Sequence, residues 1–177
     1  MIEAGLYRYL RGSRIDVQAI AAEIGVGRAT VYRWFGSRDN LIGEVVLRAT
    51  EPVLEEARAG EEGKGGPGLL DTFDRFNRTL ADAPALQSFV EQERDAALRL
   101  IASGAGIVQP RMVELITGLI VEEVDSGTYE PPVEPAILGY AIVKLAQAFL
   151  FNDTVAGIRG DVDRLREFEA ALLGVSA

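Results

Sequence analysis

The chain has 177 residues with no cysteine and no histidine, and lysine is scarce too: Lys64 and Lys144 stand against sixteen arginines. Each absence closes off a class of chemistry. Lack of cysteine removes disulfides and thiolate metal sites, and lack of histidine removes the commonest general base and zinc ligand. Carboxylates do cluster, at Glu91, Glu93 and Asp95 and again at Glu122, Glu123 and Asp125. Adjacent and i, i+2 spacings do not place them on one helix face, and a di-iron bundle needs Glu-x-x-His, so both clusters read as solvated faces. No catalytic residue, metal site or cofactor is expected. No apolar run reaches the roughly 18 residues of a membrane span. A secretory signal is not visible either, because Met1 leads into an amphipathic pattern (Ile2, Leu6, Tyr9, Leu10) without a basic region or a cleavable apolar one. With 48% hydrophobic residues, the expectation is a globular cytoplasmic protein of one or two domains with no membrane partner.

What charge there is lies unevenly. Residues 1–50 carry seven basic against five acidic residues, whereas residues 51–177 carry eleven against twenty-two. Only the N-terminal part suits a phosphate partner, and an acidic body would orient it head-first toward a polyanion. A general solubility charge accounts for the same numbers.

Within that N-terminal part, residues 16–41, DVQAIAAEIGVGRATVYRWFGSRDNL, form two short helical patterns broken at Gly25. Asp16 stands at an N-cap, and Ile20, Ala21 and Ile24 share one face. Gly25 reaches the positive φ that a helix C-terminus needs, so the chain turns before a second helix near Gly27. There Val31 and Phe35 point inward, leaving Arg28, Ala29, Tyr32 and Arg33 outside. Two guanidiniums, a phenol and a small residue on one face suit a DNA major groove, where arginine donates bidentately to guanine and alanine allows close approach. An ordinary helical hairpin with solvated arginines has the same pattern.

The string GVGRATVYRWFGSRDNLIGEVV resembles the DNA-binding domain of the tetracycline-repressor (TetR) family, where a recognition helix ends in Tyr-x-x-Phe before a Ser-Lys-Glu-like start to a long linking helix. Here those positions are Tyr32, Phe35, Ser37, Arg38 and Asp39, within a match over roughly residues 2–47. The resemblance implies a homodimeric, bacterial-type transcription regulator, usually a repressor, that binds a double-stranded DNA operator and a small-molecule effector. It assigns Arg28, Ala29, Thr30, Tyr32, Arg33, Trp34 and Arg38 to DNA contact, with a DNA-binding domain over 1–47 and an effector-binding and dimerisation domain over 48–177. Three features depart from the family pattern. Gly27 replaces a Ser or Thr cap, Trp34 stands where His or Tyr is common, and the chain begins at Met1 without the basic arm that often precedes helix one.

Beyond Ser37 the patterns are all helical. Leu41, Val45, Ala49 and Val53 continue one stripe in which Pro52 should kink or divide the helix. GEEGKGGPG, residues 60–68, reads as a loop without the ending of a phosphate-binding motif. Helices follow over about 69–80, over 84 to about Ser103, where SGAG breaks the pattern, and over 110–125 with Met112, Leu115, Ile116, Leu119 and Ile120 inward. The pattern over 135–155 is apolar on nearly every side and should be buried on every side; the last helix, from Asp161, offers Leu165, Phe168, Leu172 and Leu173. The resemblance makes these two the dimerising pair, while the pattern alone also permits a monomeric bundle. The resulting fold is all-α with about nine helices: a three-helix head joined by a long helix to a C-terminal bundle.

For the effector, Lys144 sits among apolar neighbours one turn from Tyr140 and Gln147. A buried ammonium needs a partner, so Lys144 either pairs with an acid such as Glu93 or Asp95 or anchors a ligand. Phe73, Phe76, Phe89 and Tyr140 join it as candidate pocket residues, or serve as plain core. Two other classes stay open, a helical-bundle enzyme and a helical interaction module without DNA. The missing His and Cys oppose the first, and the arginine face opposes the second.

Overall fold

The computed structural model describes residues 1–102, 106–151 and 160–177, and every regular element among them is helical. In chain order these are α1 (Ile2–Leu10), α2 (Val17–Glu23), α3 (Arg28–Phe35), α4 (Arg38–Arg58), α5 (Gly65–Ala81), α6 (Pro84–Gln92), α7 (Arg94–Ala102), α8 (Val108–Asp125), α9 (Pro135–Phe151) and α10 (Val162–Leu173). No described helix is long and apolar enough to cross a membrane. The described residues form ten helices, in keeping with the expected nine or so, the single helix read from Pro84 onward being two. Glu93 leaves helical geometry at φ −131°, ψ 46°, although its N–H still bonds to the Phe89 carbonyl. The expected stop at Ser103, most of the SGAG break and the end of the 135–155 helix lie outside the described residues.

The chain forms two compact units that do not follow it linearly. One comprises Met1–Glu51 and Ala83–Gln109, the other Pro52–Asp82 and Pro110–Ala177. Pro52 does not divide its helix: α4 runs from Arg38 through to Arg58, and the unit boundary falls at that proline. Proline lacks only one backbone donor, so a helix long enough to be held on either side of it survives the loss.

In the first unit, Ala21, Val31 and Leu41 form a core against partly buried Met1, Ile2, Val17, Val26 and Phe35, one stripe from each helix of the head. Tyr9 of α1 is buried edge-to-face on Phe89 of α6, ring centroids 6.0 Å apart, whereas Leu10, expected on the same apolar face, is exposed. Close approach of the 83–109 segment is visible at Gly43 in α4, where an added Cβ would run into Ile107.

In the second unit, the glycine-rich stretch is a loop only to Lys64. Gly65, Gly66 and Gly68 form the first turn of α5 and are buried. Gly65 has φ +65°, and a Cβ there would collide with the Thr128 carbonyl. The amides exposed by this tight start are taken by Glu123, which continues the buried Met112, Ile116, Ile120 stripe of α8. Its carboxylate accepts from the N–H groups of Gly63 (2.8 Å) and Gly65 (2.7 Å) and from the Thr128 hydroxyl (2.6 Å), and it pairs with buried Arg58. Burial alone would raise this carboxyl; the Thr128, Arg58, Gly63 and Gly65 hydrogen bonds outweigh it and hold the pKa at about 2. Glu123 is therefore not part of a solvated face.

Helix α9 buries Leu138, Gly139, Ile142, Val143 and Phe149, but Ile137 and Tyr140 are 58% and 50% exposed within the protomer. The expectation of burial on every side is thus met on one side only. In α10, Asp161 caps the helix by accepting from Arg164 N–H at 3.0 Å. Leu165, expected at a subunit interface, is fully buried in its own protomer because α10 packs on α5 and α9; Phe168 is 51% exposed instead. The inner stripe also carries an ionisable group: Glu169 is fully buried, with Asn77 of α5 donating to both carboxyl oxygens at 3.0 and 3.2 Å.

Candidate nucleic-acid interface

The head presents α3 through two conformational devices that its sequence specifies. Asp16 accepts from the N–H groups of Gln18 (2.9 Å) and Ala19 (3.0 Å), which starts α2, and Gly25 at φ +71° lets the chain reverse into α3. The Ala19 N–H holds the Asp16 carboxyl below its usual range, with slight burial opposing. Gly36 at φ +74° ends α3, and the Ser37 hydroxyl then accepts from Asn40 N–H at 3.0 Å to cap α4. Gly27 caps α3 with no side-chain hydrogen bond, as its replacement of Ser or Thr requires.

With Val31 buried, the rest of α3 turns outward. Arg28, Ala29, Tyr32, Arg33 and Trp34 are exposed and Thr30 is half-buried. Arg28 lies over the Tyr32 ring, 5.3 Å from its centroid, and donates to the phenol oxygen at 3.3 Å. That stacking restrains a long side chain before any partner arrives. Trp34 meets Phe35 edge-on at 6.4 Å. Arg28 and Tyr32 also line a cleft of about 480 Å³ together with Arg14 and Arg38.

Arg38 is not simply presented to solvent. Its guanidinium donates to both oxygens of Glu93 at 2.8 and 3.0 Å, and Arg14 reaches the same carboxylate at 3.3 Å. The Glu93 side chain is only 7% exposed, so it too is no solvated acid. Nothing local in the sequence pointed to this pair, since Arg38 and Glu93 are separated by 55 positions.

The candidate effector residues are not gathered in the same way. Phe73 and Phe76 are buried on α5, and Phe89 belongs to the first unit against Tyr9. Tyr140 and Lys144 do meet, with the ammonium 5.8 Å from the ring centroid, but on a half-exposed surface of α9. Gln147 is half-buried. Glu93, one of the acids suggested as the Lys144 partner, is engaged by Arg38 and Arg14. Among the described residues, no group of three acids could hold a metal ion.

A capped two-helix turn with an arginine-bearing outer face defines a helix-turn-helix DNA-binding protein. Residues 13–45 match the family described as bacterial regulatory proteins, tetR family, and residues 64–174 match the tetracyclin repressor-like C-terminal domain. The transcriptional repressor QsdR of R. erythropolis, from the TetR family, superposes with a TM-score of 0.90 at 28% identity over 99% of this chain and 93% of its own. The TetR family regulator PfmR from Thermus thermophilus aligns at 19% identity over 92% and 89%, with a TM-score of 0.48. No curated protein matches the chain. The chain belongs to the TetR family: it is a transcriptional regulator with an N-terminal DNA-binding domain and a C-terminal ligand-binding domain. The matched family and the QsdR structure are transcriptional regulators, and TetR family proteins bind DNA operators as dimers with small-molecule effectors.

Proposed function

We propose that this protein is a cytoplasmic repressor whose homodimer binds a palindromic operator through α3 and is released by a small-molecule effector. Residues 1–47 are read as the DNA-binding domain and 48–177 as the effector-binding and dimerisation domain. The observation that carries the reading is the outer face of α3, where Arg28 is restrained on Tyr32 and Arg33 makes no ion pair among the described residues. Arg28, Arg33 and Tyr32 read bases, Ala29 and Thr30 allow close approach, and Trp34 and Arg38 meet the backbone. Exposed Ile137, Tyr140 and Phe168 support a second copy covering α9 and α10, which needs an isologous interface of roughly 2,000 Å² or more in total. In the operator-bound dimer the two α3 helices should then lie roughly 34–36 Å apart, or a multiple of that.

Effector binding is assigned to the C-terminal domain, with Phe73, Phe76, Tyr140, Lys144 and Gln147 as candidates and Phe89 retained in the segment that packs on the head. Duplex binding measured against salt tests the reading. Arg33→Ala or Arg28→Ala should cost about 1–3 kcal/mol and relax base preference, while Arg38→Ala should weaken all sequences alike and lower the salt slope by about one unit per protomer. Absence of salt-dependent duplex binding by the unmodified protein would overturn it.

A further inference from the structure

The arginines nearest the start of α4 are already holding an anion. Arg38 donates through one nitrogen, Nη2, to both oxygens of Glu93 at 2.8 and 3.0 Å, and Arg14 adds a third hydrogen bond at 3.3 Å; these are charge-assisted contacts of the kind a guanidinium also makes to phosphate oxygens. All three side chains belong to the same compact unit, and both arginines line the cleft that also contains Arg28 and Tyr32. Glu93 is delivered there by the break between α6 and α7, where it alone departs from helical geometry. The 83–109 segment holds α4 at two further places, Arg99 near Asp39 at 3.6 Å and Ile107 against Gly43. The carboxylate is therefore fixed by a packed segment and not by a mobile side chain alone.

We propose that Glu93 is an affinity-setting residue: its carboxylate stands in for backbone phosphate on Arg38 and Arg14, so that a duplex must compete with the protein's own anion for these two guanidiniums. The physical basis is a balance of charge. Arg38, Arg14 and Glu93 together carry one net positive charge per protomer and without the Glu93 carboxylate they carry two, while Asp39, 3.8 Å from Arg38 and 3.6 Å from Arg99, is the same in both cases. Each additional phosphate neutralised releases close to one counterion, so removing Glu93's charge steepens the salt slope by about one unit per protomer and tightens binding roughly 5–10-fold per protomer at 0.1 M salt. Helices α6 and α7 thus reach the DNA contact through one side chain, and a shift of their junction changes affinity without touching α3.

This inference rests on the reading of Arg38 as a phosphate contact, and the test separates the two. Binding of the full-length protein to a mixed-sequence duplex is titrated with salt for the unmodified chain, Arg38→Ala, Glu93→Gln and Glu44→Gln. Glu44 is an exposed acid of α4, so its neutralisation reports the effect of net charge alone. Glu93→Gln should bind more tightly than Glu44→Gln and with the steeper slope. Glu93→Asp keeps the charge but withdraws the carboxylate by one methylene, and should move in the same direction by a smaller step; it decides the matter if the glutamine variant does not fold. Should Arg38→Ala leave the slope unchanged, the phosphate reading itself fails. If Arg38→Ala flattens the slope but Glu93→Gln binds no better than Glu44→Gln, and Glu93→Asp matches the unmodified chain, the competing role of Glu93 is wrong while the DNA reading stands.

Discussion

Replacing Glu123 with glutamine removes the charge around which the start of α5, the Gly63 turn and Arg58 are arranged. The carboxyl is held at about 2 against an ordinary 4.5, and the side chain is 1% exposed, so solvent screens little of the effect. At about 1.4 kcal/mol per unit, the shift corresponds to about 3 kcal/mol of folding stability at neutral pH. A carboxyl whose pKa is lowered by folding contributes fully above its unfolded value and loses that contribution as pH falls through its folded value. The pH-dependent part of the gap between the unmodified protein and Glu123→Gln should therefore be about 3 kcal/mol at pH 7 and about half of that by pH 3. Leaving Arg58 buried without its counter-charge adds to the loss at every pH. For a chain of this length, 3 kcal/mol corresponds to a fall in Tm of roughly 6–12 °C. Thermal unfolding followed by circular dichroism at pH 7, 5, 4 and 3 measures it. Parallel Tm curves for the two proteins across that range, or a difference under about 1 kcal/mol at pH 7, would refute the assignment of Glu123 as the ionised centre of this cluster.

Glu169 should behave in the opposite sense. Burial first, and Asp74 second, push its carboxyl up to about 8 against the lowering effects of Asn77 and Arg166, so the folded state favours the protonated form and loses stability as pH rises from about 4.5 to 8. Glu169→Gln should raise Tm by a margin that grows over this interval, and an unchanged pH dependence would count against it. Phe168→Glu should yield a 19.1 kDa species in sedimentation and abolish operator binding with the fold intact, because the ring is half exposed in the protomer. Leu165→Glu should unfold the protein instead, since that side chain has no solvent exposure; a folded Leu165→Glu monomer would contradict the burial. Gly65→Ala, placed at positive φ against the Thr128 carbonyl, should cost more than about 1 kcal/mol in urea unfolding.

The head was legible because its determinants are local. Asp16 and the amides it caps lie two and three residues apart, Gly25 acts through its own φ, and the Val31 and Phe35 spacing sorts α3 into faces within eight residues. A pattern of that span survives whatever packs around it, so the residues offered outward on α3 follow from sequence almost directly. The face proposed for dimerisation was legible only halfway. Apolarity on all sides of 135–151 says that something covers each side, but which of Leu165 and Phe168 faces the protomer depends on the phase of α10 against α5, and their adjacent turns do not settle it.

The buried acids share one cause. Periodicity counts a carboxylate as solvated, yet Glu123 occupies the next inward position after Met112, Ile116 and Ile120, and Glu169 the next after Leu165. Each is acceptable there only because a distant segment brings donors: the amides beside Gly63 and Gly65 for one, the Asn77 amide for the other. The same holds for the glycines read as part of a loop, whose lack of side chains admits Thr128, Tyr129 and Val175 to within contact of the α5 start. A glycine-rich turn leaves unpaired N–H groups, and a glutamate in phase with an apolar stripe lacks solvent; each deficit is the other's remedy. Sequence alone contains both halves, but 58 positions separate Gly65 from Glu123 and no local rule joins them. Glu93 also depends on distant donors, with one difference: they are two arginines for which phosphate is a comparable acceptor, so on the proposed reading a duplex competes for the partners of this acid, whereas those of Glu123 and Glu169 lie within the second unit.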